Sequence, residues 1–225
     1  LDRARGYTVS RLDPVTGGVH CALGGSQNQY LVTSTLASQC PAAVGRALGL
    51  KQKAVSFVTI GDGSVHNAHF WSAFHLARFA KHQNLKCPVV FGISDNGLSI
   101  SYSTKHYVET LFDHDPLIPI FRANGSDVLD VYSQTACAVQ YARRRSAPAV
   151  ILYQNCTRRF GHAATDRQDA YLSSSQIESM ADNPVIEDTL CQIVDVLSYS
   201  SYDEIRTRLK SIQDSTVAAF AQASA

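Results

Sequence analysis

The sequence predicts an α/β fold: an open, mostly parallel sheet with helices on both faces, in one domain over residues 1–225. Three observations carry this. The runs "AVSFVTI" (54–60) and "CPVVFGIS" (87–94) are short, rich in β-branched residues and apolar on both faces, as strands of a buried parallel sheet are. Between them lies a stretch with apolar residues at helical spacing. Each run also ends in a polar turn, "GDG" at 61–63 and "DNG" at 95–97, where open α/β sheets place their ligands. At 225 residues and 45% hydrophobic content the chain is long enough to bury one substantial core.

Residues 1–30, rich in Gly, Asp and other polar residues, read as loop. "STLASQCPAAVGRALGL" sets small and apolar residues at helical spacing and predicts a tightly packed helix from about Leu36 to Leu50. The strand at 54–60 leads through the Gly-Asp-Gly turn to a helix from about Asn67 to Gln83, and then to the strand at 87–94. "IPIFRAN" (118–124) suits a third strand, after which Ser126 is expected to cap a helix ending near Arg144. The basic run "ARRRS" suits that helix's C-terminus, where cations are favoured. "PAVILYQN" (148–155) is a fourth strand, and after a polar loop residues 174–223 carry helical signals.

A net charge of +1 argues against an extended nucleic-acid surface, and no segment has the apolar length of a bilayer span. The six cysteines show no CxxC spacing, which fits reduced thiols in a cytosolic or matrix compartment. The chain opens on Leu1, and a native N-terminal segment is expected to precede it.

The two turns suggest chemistry together. Glycines at 61 and 63 let backbone approach a ligand, and a following helix start offers N–H groups to an anion. Asp62 between them would repel a phosphate unless a divalent cation lay between the two, and Mg²⁺ prefers few protein oxygens plus cofactor phosphates. Asn96 offers a neutral oxygen at the end of the next strand. The plainer alternative is an Asp that caps a helix and an ordinary "DNG" turn.

"GDG", a span of about thirty residues and a closing Asn resemble the signature of thiamine-diphosphate enzymes. The wider sequence resembles the alpha subunit of the decarboxylating component of 2-oxoacid dehydrogenase complexes, especially the branched-chain type. The match rests on "GGVHCALGGSQNQYLVTSTLASQCPAAVGRAL", on "CTRRFGHAATDRQDAYLSSSQIE" and on the closing "SYDEIRTRLKSIQDSTVAAFAQA".

That resemblance implies a thiamine-diphosphate-binding fold and a set of site residues. Asp62 and Asn96 would bind Mg²⁺ by side chain and Leu98 by its carbonyl; Gly61, Gly63 and Ser64 would meet the diphosphate; Ser34 and Leu36 would touch the aminopyrimidine end. Thr33, Thr35, Ser38 and Gln39 match a potassium-binding turn. His162 would reach the diphosphate and substrate, Arg159 would neutralise phosphate, and His20 matches a further family histidine. His66, His69, His75 and His82 read as packing or surface residues of a helix.

The implied activity is oxidative decarboxylation of a 2-oxoacid with acyl transfer to lipoyl. The implied partners are a beta subunit or fused beta-like domain and a lipoyl acyltransferase core, with no nucleic acid and no membrane. The compartment would be the mitochondrial matrix in a eukaryote and the cytoplasm in a bacterium. No half bearing the pyrimidine-activating glutamate is recognisable, so the 225 residues alone are expected to be inactive. Departures from the family pattern are "SDN" before the closing turn and the insertion "AKHQNLK". A transketolase-type transferase and a non-catalytic cofactor-binding or assembly module are the rival readings. The loop Arg159–Tyr171, with little apolar content, is expected to need the cofactor for order, and its Thr165 lies where related eukaryotic subunits carry a regulatory serine.

Overall fold

The computed structural model describes residues 35–50, 54–113, 115–158, 161–163, 166–182, 184–196, 198 and 200–224. The chain divides into two compact units. One is Leu36–Thr189; the described part of the other is Thr35 with residues 190–196, 198 and 200–224.

In the first unit the described elements run α1 (Gln39–Gly49), β1 (Ser56–Gly61), a 3₁₀ turn (Asp62–His66), α2 (Ala68–His82) and β2 (Val89–Ser94). A small hairpin follows, β3 (Leu98–Ser99) and β4 (Tyr102–Ser103), then α3 (Tyr107–Thr110), β5 (Ile120–Asn124), α4 (Val128–Arg145) and β6 (Ala149–Gln154). A second 3₁₀ turn (Gln168–Ala170) precedes α5 (Ser174–Ala181) and α6 (Val185–Cys191), which carries the boundary between the units. The second unit continues through a π-helical turn (Gln192–Val196) to α7 (Tyr202–Ser224), whose apolar Leu209, Ile212 and Val217 are exposed.

The sheet order is β1-β2-β6-β5, with every neighbour parallel. From β1 to β2 the chain steps one way across the sheet, and from β5 to β6 it steps back. Since parallel crossovers are right-handed, the connecting helices α2 and α4 must fall on opposite faces. The core divides accordingly. Val89, Phe91 and Ile93 of β2 pack with Cys40, Val44, Phe70 and Phe74 of α1 and α2, while Val90 packs with Ala138 and Ala142 of α4.

Three expectations need correction. First, β1 is not buried on both faces: its residues alternate buried and exposed, and Phe57 is 40% exposed. Among the described residues the strand lies at one edge of the sheet, whereas β2, with neighbours on both sides, is buried from Val89 to Ile93. Phe57 instead leans over Gly92, where a Cβ would lie 3.0 Å from its ring. Second, the cap of α4 is Asp127, whose carboxylate accepts the N–H groups of Leu129 and Asp130. Ser126 is drawn away, its hydroxyl donating to the Asn155 carbonyl. Third, the helical stretch from 174 onward is broken. The capping box of Ser173 and Gln176 opens α5, and Pro184, whose ring cannot continue a helix, separates α5 from α6.

Candidate functional site

The register aligns the two turns. Gly61 pairs with Ser94, so Asp62 and Asp95 leave the sheet side by side at the carboxyl ends of β1 and β2. Asp62 is 4% exposed; its Oδ1 accepts the Gly63 N–H at 2.9 Å and its Oδ2 accepts the Thr104 hydroxyl at 2.6 Å. Asp95 Oδ1 accepts the Gly97 N–H and Asn96 Oδ1 accepts the Leu98 N–H, at 2.8 and 2.9 Å. Gly97, at φ +75°, takes the left-handed turn that only a residue without Cβ adopts freely. Gly63 is needed for a different reason: a Cβ there would lie 2.6 Å from Ser99 Oγ on the hairpin. At Gly61 the same atom would meet nothing within 4 Å, which leaves room beside the turn.

Burial pushes the Asp95 carboxyl above its ordinary value. The Gly97 N–H opposes that, and the charges of Asp62 and Glu109 add to it. Loss of solvent around Asp95 is the largest of these effects, and His106 offsets part of what the neighbouring carboxylates add. Among the described residues no three His, Cys, Asp or Glu side chains form a ligand cluster, so any cation here must take amide, carbonyl or ligand oxygens as well. That is the donor mix Mg²⁺ accepts. An open cleft of about 510 Å³ begins at Asp95, Asn96 and Leu98 and extends past Lys105 and Gln154 to α5. It lies between the carboxyl ends of β2 and β6, where the two halves of the sheet diverge.

After β6, hydrogen bonds between described residues gather around the buried Arg158 side chain. Arg158, 7% exposed, donates through one terminal nitrogen to the Ile100 carbonyl at 2.7 Å and through the other to the Tyr171 hydroxyl at 2.6 Å. Tyr171 donates to Asp166 Oδ2 at 2.7 Å, and that oxygen also accepts the His162 N–H at 2.8 Å. The His162 N–H and the Tyr171 hydroxyl, with Arg158 adding less, hold Asp166 below the usual carboxylate range. Its grip is thus in place at neutral pH and is lost only as pH falls through that lowered value. Thr157 Oγ1, Arg158 Nε and Gln168 Nε2 are buried without a hydrogen-bond partner among the described residues.

Residues 6–225 match the protein family described as "Dehydrogenase E1 component". The chain belongs to that family. Family members similar to it include the 2-oxoisovalerate dehydrogenase subunit alpha of Caenorhabditis elegans, 30% identical over 69% of this chain and 36% of that one. Subunit alpha 2 of the same enzyme from Arabidopsis thaliana is 32% identical over 70% and 34%. The pyruvate dehydrogenase E1 component subunit alpha of Saccharomyces cerevisiae is 28% identical over 72% and 40%. The chain thus spans 34–40% of the length of these relatives. Among solved structures, a transketolase from Leishmania mexicana overlaps 54% of this chain and 20% of its own at a TM-score of 0.38 and 17% identity.

Of the residues singled out from the sequence of this E1-family chain, Asp62, Asn96 and Leu98 stand at adjacent strand ends, with Gly61, Gly63 and Ser64 on or beside the same turn. The turn differs in one respect from the expectation. The 3₁₀ segment Asp62–His66 intervenes before α2, whose start is capped by the Asn67 side chain, so the helix N-terminus does not sit at the glycines. His66 belongs to that segment, with its ring stacked on Tyr107 at 5.4 Å. Leu36 is exposed, Ser38 stands at the N-cap of α1, and Gln39 Nε2 donates to the Thr59 carbonyl. Thr35 falls in the other unit. His162 is exposed. His20, Thr33, Ser34, Arg159 and Thr165 lie outside the described residues.

Two contributors escaped the sequence reading. Thr104, which holds the Asp62 carboxylate, is 42 positions from it with no pattern to link them. Arg158 stands in a run of two arginines, and nothing local marks it for burial.

Proposed function

We propose that this chain is the diphosphate- and metal-holding part of the decarboxylating component of a 2-oxoacid dehydrogenase complex, acting with a beta subunit or fused beta-like domain. The observation that carries the reading is the buried Asp62 carboxylate at the end of β1, aligned by register with Asp95 and Asn96 at the end of β2. The branched-chain names of several relatives favour a branched 2-oxoacid as substrate, a lipoyl acyltransferase core as acceptor and, in a eukaryote, the mitochondrial matrix.

The residues present fit thiamine diphosphate and Mg²⁺. Asp62, Asn96 and the Leu98 carbonyl are the candidate metal ligands, a set of few protein oxygens that leaves positions for cofactor phosphates. Thr104 fixes the Asp62 rotamer, as the outer partners of metal-binding carboxylates do. Gly61, Gly63 and Ser64 supply backbone beside the diphosphate. Arg158 Nε and Gln168 Nε2 can only donate, so their missing partners are acceptor oxygens, which an anion at the base of the loop would provide. Thiamine diphosphate, when bound, supplies the nucleophilic carbon and the electron sink for loss of CO₂. The chain's own share is placement: Ser34 and Leu36 at the aminopyrimidine, Arg159 beside phosphate, and His162 and His20 toward the substrate for proton positioning.

Asp62→Ala in the full-length protein tests this. Calorimetry is expected to show Mg²⁺-dependent thiamine-diphosphate affinity falling by more than the roughly 10–100-fold that loss of an outer-shell partner costs, with circular dichroism unchanged. Unchanged affinity overturns the assignment.

A further inference from the structure

We propose that the amino ends of β2 and β6, opposite the candidate cofactor site, form a docking surface for an acidic and partly apolar segment of a partner protein. Two stretches that the site leaves unused build this surface: "AKHQNLK", which departs from the family pattern, and the basic run "ARRRS".

Charge is already segregated along the sequence. Of 19 carboxylate residues, only Asp62 falls between positions 14 and 94, and none falls between 131 and 165. Lys81 and Lys86 belong to the first of these regions, and Arg143, Arg144 and Arg145 to the second. The fold then brings the cations together. α2 and α4 lie on opposite faces, yet both lead into neighbouring parallel strands, β2 and β6. The register carried back from Val90 and Ala149 sets Lys86 level with Arg145. The Cys87 N–H donates to the Ser146 carbonyl at 2.9 Å and closes that junction.

Both helix ends are fixed in place. α2 stops through Asn84 at φ +56°, where the Asn84 N–H donates to the Lys81 carbonyl and the Leu85 N–H to the Ala80 carbonyl. α4 stops through Ser146 at φ +49°, with the Ala147 N–H on the Ala142 carbonyl. Such left-handed terminations end a helix at a defined residue. Lys86 and the three arginines are exposed. Among the described residues, Lys81, Lys86, Arg144 and Arg145 have no carboxylate within ion-pair distance. The helix dipole favours a cation in each last turn, but it does not ask for two such ends to meet with no opposite charge between them.

The same end also presents apolar side chains. Leu85 is 53% exposed and Phe79, on the last turn of α2, is 58% exposed. A phosphate polymer or a headgroup layer would satisfy the cations and leave these two uncovered. A protein segment carrying both carboxylates and apolar side chains covers all of them. The strands are six residues long, so the surface stands roughly 20 Å from the cofactor turns, at ~3.3 Å per residue. A partner seated there leaves the cleft open. Exposed ion pairs are individually weak, so recognition rests on several at once and fades as salt rises.

The test measures fluorescence anisotropy of a labelled peptide alternating glutamate with leucine, titrated with the full-length protein. A single-stranded oligonucleotide and phosphatidylserine vesicles are offered in parallel. The double variant Lys86→Glu, Arg145→Glu is expected to weaken peptide binding about tenfold or more, since like charges then face each other. Leu85→Ser, which keeps every charge, is expected to weaken it about tenfold through lost apolar burial. The proposal is overturned if the native protein fails to bind the peptide, or if either variant binds it undiminished. Tighter binding of the oligonucleotide or the vesicles than of the peptide overturns it too. Asp62→Ala, which tests the cofactor assignment, does not touch this surface, so failure of either reading is seen separately.

Discussion

The two faces of the sheet are built from different material. On the α1–α2 face, Phe70 meets Trp71, Phe74, Phe91 and Phe112 at ring separations of 5.4–5.9 Å, and aliphatic residues of β1, β2 and β6 complete the cluster. On the α4 face the fully buried set is Val90, Ala138, Ala142, Ala149 and Ile151, with Tyr141, Tyr153 and Phe121 only partly covered. Large rings bury much apolar surface per residue, whereas alanines allow a helix to approach the sheet closely and contribute little area of their own. The first face is thus where most hydrophobic stabilisation resides. It is also the face next to the turn at Asp62, since Val65 of that turn is fully buried in the same cluster.

The comparison breaks if the two faces respond alike to mutation. Phe70→Ala is expected to cost about 3–5 kcal/mol in a denaturant melt, through lost burial plus the cavity left among four rings. Ala142→Leu asks the opposite question of the other face: overpacking between α4 and β6 is expected to cost about 1–3 kcal/mol. Equal losses would mean that the alanine face is as demanding as the aromatic one. The thiols sharpen the contrast at little energetic expense. Burial pushes Cys40 up to about 12 and Cys87 up to about 11, so neither carries appreciable thiolate at pH 8, and both sit within the aromatic-side cluster. Cys137, on α4, is exposed. Native alkylation at pH 8 followed by peptide mapping is expected to label Cys137 and spare Cys40 and Cys87; equal labelling of the three would show the aromatic face to be open.

What the sequence reveals of this architecture follows the range of the interactions. Strands β2 and β6 and the turns at 61–63 and 95–97 are readable because their signals, β-branched runs and Asx hydrogen bonds two residues long, are local. The half-exposed character of β1 is not, because strand order decides which apolar run takes the edge. Ser126 and Asp127 are both competent caps side by side, and only the Asn155 carbonyl, 29 positions away, settles which one serves α4. The break at Pro184 is a local signal, but the helical residues on both sides of it mask it. At the site, Asp62 and Asn96 stand out by spacing, while Thr104 and Arg158 acquire their roles only from contacts across 42 and 58 positions.

The close approach of Gly63 to Ser99 has a consequence for how this sequence can drift. A side chain at 63 would strike the Ser99 hydroxyl first, at 2.6 Å, and the Ser99 Cβ next, at 3.3 Å. Exchange of that serine for alanine would remove the harder collision and leave one that a few tenths of an ångström relieve. The two positions are therefore linked: alanine at 63 sits most easily where the hydroxyl at 99 is absent or has turned to another rotamer.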